Sequence, residues 1–476
     1  MFSGMIFMAS NPCLKFFQWF VTLHTHVRCA HRLTLQATSL VDSDDTRWST
    51  FRKYAKRVKS IHGREARVPV RIKQEFFSSI QYCPKLYLPL LPNVTELEWS
   101  ELSFSALDDS AMSLLRYFAG PAVTKIKISL VRWLAHSPAE LDVLTDLPRL
   151  CPNVTSFTLI LGFSWDYEPC VEVGRMVTEW PRLRTLRTCA LAQPMMDQLL
   201  TRKTVETLSL AFHNASPKYT GKIPDMVREI SLGVDGPSLC VYHLSNLWAS
   251  PTRFRLLIGM NEEQKEADIE HMFHLLPRRL DASRLRALTI QPASSIIGIP
   301  LWHTLQLHPP IVSALAAFTA LHELDLDCLC TAQIGDADYA RMAASLRQLR
   351  RLTLGTTNPS ILRPWPAASV GAVIAVLTHC PDLETLHIVF DGSIPPPGGA
   401  ILKEGQVTLP AVRVSEGWGV CHRRVTRFGV GYSPIGDATV CVMAACFKSI
   451  MPCVMQIEHR DRDKQWNTVQ RLLASG

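Results

Sequence analysis

The stretch Leu321-His322-Glu323-Leu324-Asp325-Leu326 is the unit of sequence from which the fold can be predicted. Apolar residues stand at its first, fourth and sixth positions, and its last three residues alternate between apolar and polar. Side chains along a strand point to opposite faces in turn, so Leu324 and Leu326 should point inward and Asp325 outward. We call this six-residue unit the phrase and number its positions one to six.

The phrase recurs along most of the chain, which indicates stacked units rather than one closed globule. Successive phrases begin between 22 and 42 residues apart, whereas leucine-rich repeats occupy about 20 to 29 residues. The longer intervals favour a divergent array with full helices between strands. The first residues of the phrases are Val58, Val94, Val123, Val154, Leu183, Val205, Val227, Phe254, Leu285, Leu321, Leu349, Leu383 and Val425.

Between the phrases, the apolar spacing changes to that of helices, for example over residues 195–200, 311–318, 339–349 and 370–377. Pro194 and Pro309 stand where the first turn of a helix tolerates proline. Parallel strands need a crossover connection, and a helix supplies it in the right-handed sense. The sequence therefore predicts an α/β fold, a right-handed leucine-rich-repeat-like solenoid or horseshoe. Its parallel strands are expected on the concave side and its helices on the convex side.

Three regions are predicted along the chain. Residues 1–47 form an N-terminal segment without the phrase, and residues 48–436 form the array, with a proline- and glycine-rich surface loop inserted at 391–414. Residues 437–476 are expected to be a helical cap that buries apolar surface at the end of the array. The cap should contain a short strand over 455–457 and a closing amphipathic helix with Trp466, Val469 and Leu472 or Leu473 inward.

The composition is that of a folded chain, with 47% apolar and 19% charged residues among 476 and a net charge of +8. It contains no uninterrupted apolar stretch of 18 residues, so we expect no membrane span. The 14 cysteines are scattered, and Cys83, Cys151 and Cys380 each precede a proline just upstream of a phrase. We interpret them as core-filling thiols of a reducing compartment, cytoplasmic and/or nuclear.

Motifs of common catalytic sites do not occur in the sequence. Neither glycine-rich phosphate loop is found, nor is the G-x-S-x-G or the H-E-x-x-H pattern. Cys441, Cys446 and Cys453, with His459 beyond them, could hold zinc, but core thiols explain their uneven spacing better. We therefore expect no enzyme activity, no cofactor and no metal.

The outward positions of the strands are the candidate binding residues, because the inner surface of a solenoid is the usual contact area. The third and fifth positions of successive phrases should line up across this face. They give a series of mixed charge. Its members are Glu96, Glu98, Lys125, Lys127, Arg187, Glu229, Glu323, Asp325, Arg351, His387 and Arg427.

A basic run extends from Arg52 to Lys73, with nine Lys or Arg residues and one acid, Glu65. It could bind phosphates of a nucleic acid. The favoured interpretation is a solvated helix face over Trp48–Ile61, because its aromatic residues fall on the buried side rather than among the exposed bases. A protein target is thus the expected partner, and neither a membrane nor a nucleic acid is expected.

The segment Trp48-Ser-Thr-Phe51-Arg-Lys-Tyr54-Ala55-Lys-Arg57-Val58-Lys-Ser-Ile61 resembles the region after the F-box in fungal F-box proteins with leucine-rich repeats. There the pattern is W-x-x-F-x-x-Y-A-x-R-V-x-x-L. Cys151-Pro152-Asn153-Val154, His379-Cys380-Pro381-Asp382-Leu383 and the closing Trp466-Asn-Thr-Val469 extend the resemblance. It implies a substrate receptor of a cullin-RING, SCF-type ubiquitin ligase, in which the F-box docks on an adaptor and the repeats hold the target.

Residues 1–40 depart from that family. They show neither the Leu-Pro-x-Glu phrase that opens an F-box nor the Cys-Arg-x-Trp phrase that closes it. The F-box is thus expected to be missing or degenerate, and the adaptor and cullin are expected as partners only if an F-box is restored. Two alternatives remain open: a repeat scaffold without a ubiquitin role, and a nucleic-acid-associated protein that uses residues 52–73.

Overall fold

The computed structural model of this chain describes residues 55–61, 88–100, 112–130, 138–161, 167–213, 216–259, 266–292, 306–356, 365–396, 420–459 and 464–475. The chain divides into two compact units. The first comprises residues 1–210 and 215–218, and the second comprises residues 211–214 and 219–476. The predicted segment 1–47 lies outside the described residues, and the predicted boundary between 436 and 437 stays a prediction.

Parallel strands that follow one another in chain order form the main sheet of each unit. The order is β1-β2-β3-β4-β5-β6 in the first unit and β8-β10-β11-β12-β13-β14-β15-β16 in the second. Strands β7 and β9 pair separately. With helices between the strands, this confirms the predicted α/β leucine-rich-repeat-like solenoid. The strands are β1 Ser60–Ile61, β2 Glu96–Ser100, β3 Lys125–Leu130, β4 Ser156–Leu161, β5 Thr185–Cys189, β6 Thr207–Phe212, β7 Gly221–Lys222, β8 Glu229–Val234, β9 Leu247–Trp248, β10 Arg253–Ile258, β11 Ala287–Pro292, β12 Glu323–Leu326, β13 Arg351–Leu354, β14 Thr385–Ile388, β15 Arg427–Gly431 and β16 Ile457–His459.

The phrase fixes where each strand begins. Val94 stands two residues before β2, and Leu321 stands two residues before β12. Third positions then pair with third positions, as Glu323 does with Arg351. A slip of one residue would turn every side chain to the opposite face. The buried first, fourth and sixth positions prevent such a slip, because it would expose all of them to water.

The phrase predicted to start at Phe254 is out of register. Strand β10 begins at Arg253, and Phe254 pairs with Leu288, a fourth position. The first position is therefore Pro251, which is buried like the apolar residues at the other starts. A proline at the entry to a strand lacks only an N–H, so it can fill the apolar site there.

A further phrase at the C-terminal end was only partly predicted. The short strand expected over 455–457 is found at Ile457–His459, where Ile457 pairs with Phe428. Val454 is buried and fills the first position, whereas Met455 is 73% exposed. The predicted helical cap thus also carries one more parallel strand of the sheet.

Helices or shorter turns connect most strands. Pro194 and Pro309 lie in the first turn of their helices, as predicted, and the helix expected over 339–349 ends at Ser345. No helix in the described part of the chain has both the length and the apolar character needed to cross a membrane. The helices are α1 Leu115–Phe118, α2 Pro138–Leu150, α3 Tyr167–Glu179, α4 Gln193–Thr201, α5 Pro237–Leu244, α6 Glu266–Arg279, α7 Pro309–Leu315, α8 Asp336–Ser345, α9 Val370–His379, α10 Val440–Ile450 and α11 Lys464–Ala474.

Two predictions of local structure are wrong. The helix expected to reach Ile61 does not, because Lys56 and Arg57 lie in a turn and Ser60–Ile61 form β1. Pairing with β2 overrides the helical spacing of this segment. The rest of the basic run, residues 62–73, lies outside the described residues.

The inserted loop does not begin as a surface loop. Asp391 and Gly392 are buried, and their N–H groups donate to the carbonyl groups of Ala368 and Pro434, each at 2.7 Å. Backbone pairing with neighbouring segments therefore continues past β14. Residues 397–414 lie outside the described residues.

Tryptophans tie helices to the backbone of the preceding segments. The indole N–H of Trp180 donates to the carbonyl of Cys151 at 2.9 Å, and that of Trp466 to the carbonyl of Ser433 at 2.7 Å. Both side chains are buried. A tryptophan can be buried in this way when its indole N–H forms a hydrogen bond, because the rest of its ring is apolar. The predicted inward positions Trp466 and Val469 of α11 are buried, whereas Leu472 and Leu473 are only half-buried.

Candidate functional site

The third and fifth positions of the phrases lie on one face of each sheet, which we call the strand face. In β3 the residues Lys125 and Lys127 are exposed, whereas Ile126 and Ile128 between them are buried. The register repeats this alternation from strand to strand. Neighbouring strands are about 4.8 Å apart, so side chains at equivalent positions are close enough to interact.

In the first unit, the four predicted charges of β2 and β3 neutralise one another. Lys125 Nζ lies 2.6 Å from Glu96 Oε1, and Lys127 Nζ pairs with Glu98 Oε1 in the same way. Both pairs join directly opposed residues. Each exposed pair contributes at most about 1 kcal/mol, but together they leave no net charge at these positions.

Arg187 in β5 differs from these four residues. It is exposed and lies opposite Thr158 of β4. No acidic side chain within the described ranges forms an ion pair with it. Its guanidinium therefore keeps its full charge on the strand face of the first unit.

In the second unit, Arg253 bridges two acidic side chains. Its Nε lies 3.8 Å from Glu229 Oε1 on the adjacent strand, and its Nη2 lies 3.4 Å from Glu323 Oε2 two strands away. Ala287 is the intervening residue in register, and its methyl group leaves room for the arginine to cross. Two predicted binding acids, Glu229 and Glu323, are therefore engaged by an arginine that sequence reasoning had not included.

A chain of hydrogen bonds joins the fifth positions of β10 and β12 through Gln291 of β11. Arg255 Nη2 donates to Gln291 Oε1, and Gln291 Nε2 donates to Asp325 Oδ2 at 3.0 Å. The other oxygen of Asp325 accepts the backbone N–H of Asp327 at 3.2 Å. Asp325, predicted as a free binding residue, is thus held on both oxygens.

Burial raises the pKa of the Asp325 carboxyl above its ordinary value, and the neighbouring charge of Asp327 adds to the rise. The hydrogen bonds from Asp327 and Gln291 and the charge of Arg255 act in the opposite direction. Asp327 itself accepts the N–H of Thr356 at 2.7 Å and its hydroxyl. The carboxylates of Asp325 in β12 and of Asp327 just after it thus stabilise the ends of the strands.

Arg351 in β13 and Arg427 in β15 are the exposed charges left over in the second unit. Both occupy third positions, and both align with Thr385 of β14, which lies between them. Neither guanidinium forms an ion pair or a side-chain hydrogen bond with any part of the chain that the structure describes. Two strand spacings put their Cα atoms about 9.6 Å apart.

The side chain of His387, the remaining predicted residue, lies over Gly429 of the neighbouring strand. Its Nε2 lies 3.7 Å from Glu458 Oε2 of β16. Gly429 is the residue between them in register, and a Cβ there would lie 2.7 Å from His387 Cγ. The arrangement repeats that of Arg253, in which a long side chain reaches a distant acid across a residue with little or no side chain.

Sequence reasoning missed Arg253, Arg255, Gln291 and Glu458. The first two were hidden because Pro251 was not recognised as the first position of a phrase. Counting back from Phe254 as a fourth position would have found them. Gln291 lies beyond the six-residue phrase and could be found only from its contacts.

The buried cysteines are packing residues. Desolvation raises the pKa of Cys151, Cys328, Cys380 and Cys446 to about 12, so each stays a thiol at neutral pH. Cys83 lies outside the described residues. Among the described residues, no three or more His, Cys, Asp or Glu side chains are grouped so that they could hold a metal ion.

No protein-family model matches this chain, and the comparison with curated proteins finds no match. Solved structures do match. A chain of the crystal structure of the Rad7 and Elc1 complex in yeast is 13% identical over 77% of this chain and 79% of its own length, with a TM-score of 0.35. The leucine-rich repeat-containing protein LegL7 from Legionella pneumophila is 13% identical over 74% of this chain and 91% of its own, with a TM-score of 0.33.

Proposed function

We propose that this chain is a protein-recognition module whose strand face holds a segment of a target protein. One observation carries the proposal: polar and charged side chains stand in register on strand after strand within each unit. Stacked repeats use such surfaces to bind macromolecules. On this face, Arg187, Arg351 and Arg427 retain charges that no described side chain neutralises.

The sequence resemblance supports a finer proposal, that the module is the target-holding part of a cullin-RING ubiquitin ligase. The segment Trp48–Ile61 and the closing Trp466-Asn-Thr-Val469 are the residues that support it. Trp466 is buried against Phe390 and Phe447, so this matching residue serves the packing of the array. Recognition of the target, rather than docking on the adaptor, is the function that we propose for this chain.

Site-specific photo-crosslinking tests whether the strand face binds a protein. A photoreactive amino acid replaces Thr158 or Thr353 on the strand face, and matched variants carry it at the exposed Thr145 or Thr378 on helices α2 and α9. We expect a target protein to crosslink from at least one of the strand-face positions and not from the helix positions. Equal crosslinking from all four sites, or none from the face, would contradict the proposal.

The ligase role needs a separate test with the purified adaptor and the crosslinked target. We expect the target to bind this chain and the adaptor not to bind it. Loss of target ubiquitylation on deletion of the gene would support the ligase role, whereas unchanged ubiquitylation would favour a scaffold. Direct binding of the adaptor would show that residues 1–40 had been interpreted wrongly.

A further inference from the structure

Two exposed arginines without an ion pair among the described residues lie on the strand face of the second unit, in β13 and β15. Arg351 and Arg427 flank Thr385, whose side chain is nearly buried and whose hydroxyl forms no hydrogen bond with the described residues. A guanidinium stays charged at any physiological pH and presents a fork of N–H donors that matches a carboxylate. Here two exposed guanidinium groups have no acceptor among the described residues, and the Thr385 hydroxyl lies on the strand between them.

We propose that these three residues bind a pair of carboxylates on an extended segment of the target protein, in an acid-x-acid arrangement. This inference rests on the proposed function and names the chemistry of the segment that the strand face would hold. We call Arg351, Thr385 and Arg427 the arginine clamp.

The spacing supports a pair of acids rather than one. The two arginines are about 9.6 Å apart at their Cα atoms, and acids at positions i and i+2 of an extended chain are about 6.8 Å apart on one side. Arginine side chains are long enough for the two guanidinium groups to approach each other and match the shorter spacing of the acids. Each carboxylate then receives one guanidinium, and the Thr385 hydroxyl lies between them.

The surroundings limit where the segment can lie. Glu384 is exposed at the entry to β14, and Glu458 lies beside His387 toward the other end of these strands. Glu323 lies directly opposite Arg351, with its carboxylate engaged by Arg253. These acids would repel a long acidic stretch. The charge pattern therefore favours two acids placed over the clamp, with uncharged residues on either side.

A nucleic acid fits this surface less well. Phosphate backbones are held by many cations, and single strands by aromatic side chains on which bases stack. The outward residues beside the clamp are Thr353, His387 and Gly429, which provide no large aromatic platform. The acid-x-acid protein segment is therefore the partner that we infer.

Short degenerate peptide libraries provide the test. One library fixes Glu-x-Glu at its centre, a second fixes Gln-x-Gln, and a third separates the two glutamates by several residues. A fourth library carries a single phosphoserine, and a short single-stranded RNA serves as the nucleic-acid probe. We expect selective binding of the Glu-x-Glu library. Peptides selected from it should bind the double variant Arg351→Gln, Arg427→Gln at least about 30-fold more weakly than the unchanged chain, because two charge-assisted hydrogen-bonding sites are lost.

The matched control is the double variant Lys125→Gln, Lys127→Gln, which removes two cations from the strand face of the first unit where their side chains already have glutamate partners. We expect it to weaken binding no more than about threefold, as screened charges at a distance do. Equal losses in the two double variants would overturn the clamp. So would equal binding of Gln-x-Gln, preference for the phosphoserine library, or displacement of the peptides by RNA.

Failure of the clamp can be told apart from failure of the proposed function. If the target still crosslinks to Thr158 or Thr353 when Arg351 and Arg427 are replaced, recognition stands and the clamp is wrong. If no protein crosslinks to the face at all, the proposed function is wrong. Thermal melting of each variant, expected to match that of the unchanged chain, shows that the loss of binding is not a loss of folding.

Discussion

The strand face carries charges of both kinds at β2 and β3 and again from β12 to β15, but the two regions use them differently. Lys125 and Lys127 lie opposite glutamates and are neutralised by them. Arg351 and Arg427 lie on either side of Thr385, and the acid on the other side of Arg351, Glu323, is engaged by Arg253 instead. Whether an acid on the neighbouring strand is present and not already engaged by another cation therefore decides whether a charge is available to a partner.

The largest expected effect concerns the backbone at the end of β15, the strand that begins with Arg427. Gly431 ends β15 with φ +54°, and a Cβ there would lie 2.6 Å from Thr356 Cα. We expect Gly431→Ala to lower the free energy of unfolding by about 2–4 kcal/mol, from left-handed strain and overpacking together. Urea unfolding measures it. Gly436→Ala is the control, because the nearest atom to its added Cβ lies 3.7 Å away, and equal stability of the two variants would refute the steric argument.

A charge reversal compares an arginine that has two acidic neighbours with a lysine that has one. In Arg253→Glu, two attractions are replaced by repulsion from Glu229 and Glu323, whereas in Lys125→Glu the new repulsion comes mainly from Glu96. We expect a loss of about 1 kcal/mol for the first and about half of that for the second. Thermal unfolding at low and high salt is the measurement. The difference should shrink in high salt because exposed charges are screened, and a difference that salt leaves unchanged would contradict the electrostatic origin.

The raised pKa of Asp325 makes a prediction about pH. In the folded chain this carboxyl takes up its proton at a higher pH than in the unfolded chain, where its ordinary value is 3.8. Protonation of Asp325 therefore favours the folded state as the pH falls from neutral toward 3.8, and this contribution is absent at neutral pH. We expect the stability of the unchanged chain relative to Asp325→Asn to increase over that window, by urea unfolding at each pH. A relative stability that decreases would mean that the charge partners outweigh burial.

The smallest effect is expected at the arginine clamp itself. Because Arg351 has no partner among the described residues, Arg351→Ala should change the free energy of unfolding by less than about 0.5 kcal/mol. Differential scanning calorimetry measures this. A clear loss of stability would show that Arg351 has a structural role, and the contrast with Lys125 would then disappear.

The phrase predicted the fold well because its chemistry is local. Apolar first, fourth and sixth positions determine both the strand and its inward face. The structure has a strand at each phrase that was correctly placed. The prediction failed where another residue filled an apolar site, as Pro251 does. It failed also at Ser60–Ile61, where pairing with β2 prevails over helical spacing.

The candidate site was predicted less completely, because partners on different strands are separated by 24 residues or more in sequence, as Arg253 and Glu229 are. Glu323 and His387 lie on the strand face, where the sequence placed them, but their partners Arg253 and Glu458 lie two strands away. Such pairs depend on a small residue between them, Ala287 or Gly429. A pattern within one phrase contains no information about that neighbour.

The constant distance from the first apolar residue of a phrase to its strand has a consequence for how such a chain can evolve. Phrase starts are separated by 22 to 42 residues, yet third positions still pair with third positions. Descendants of this gene could therefore gain or lose residues in the connecting segments while the same side chains remain neighbours. Changes in length and changes in partner preference would then be inherited independently.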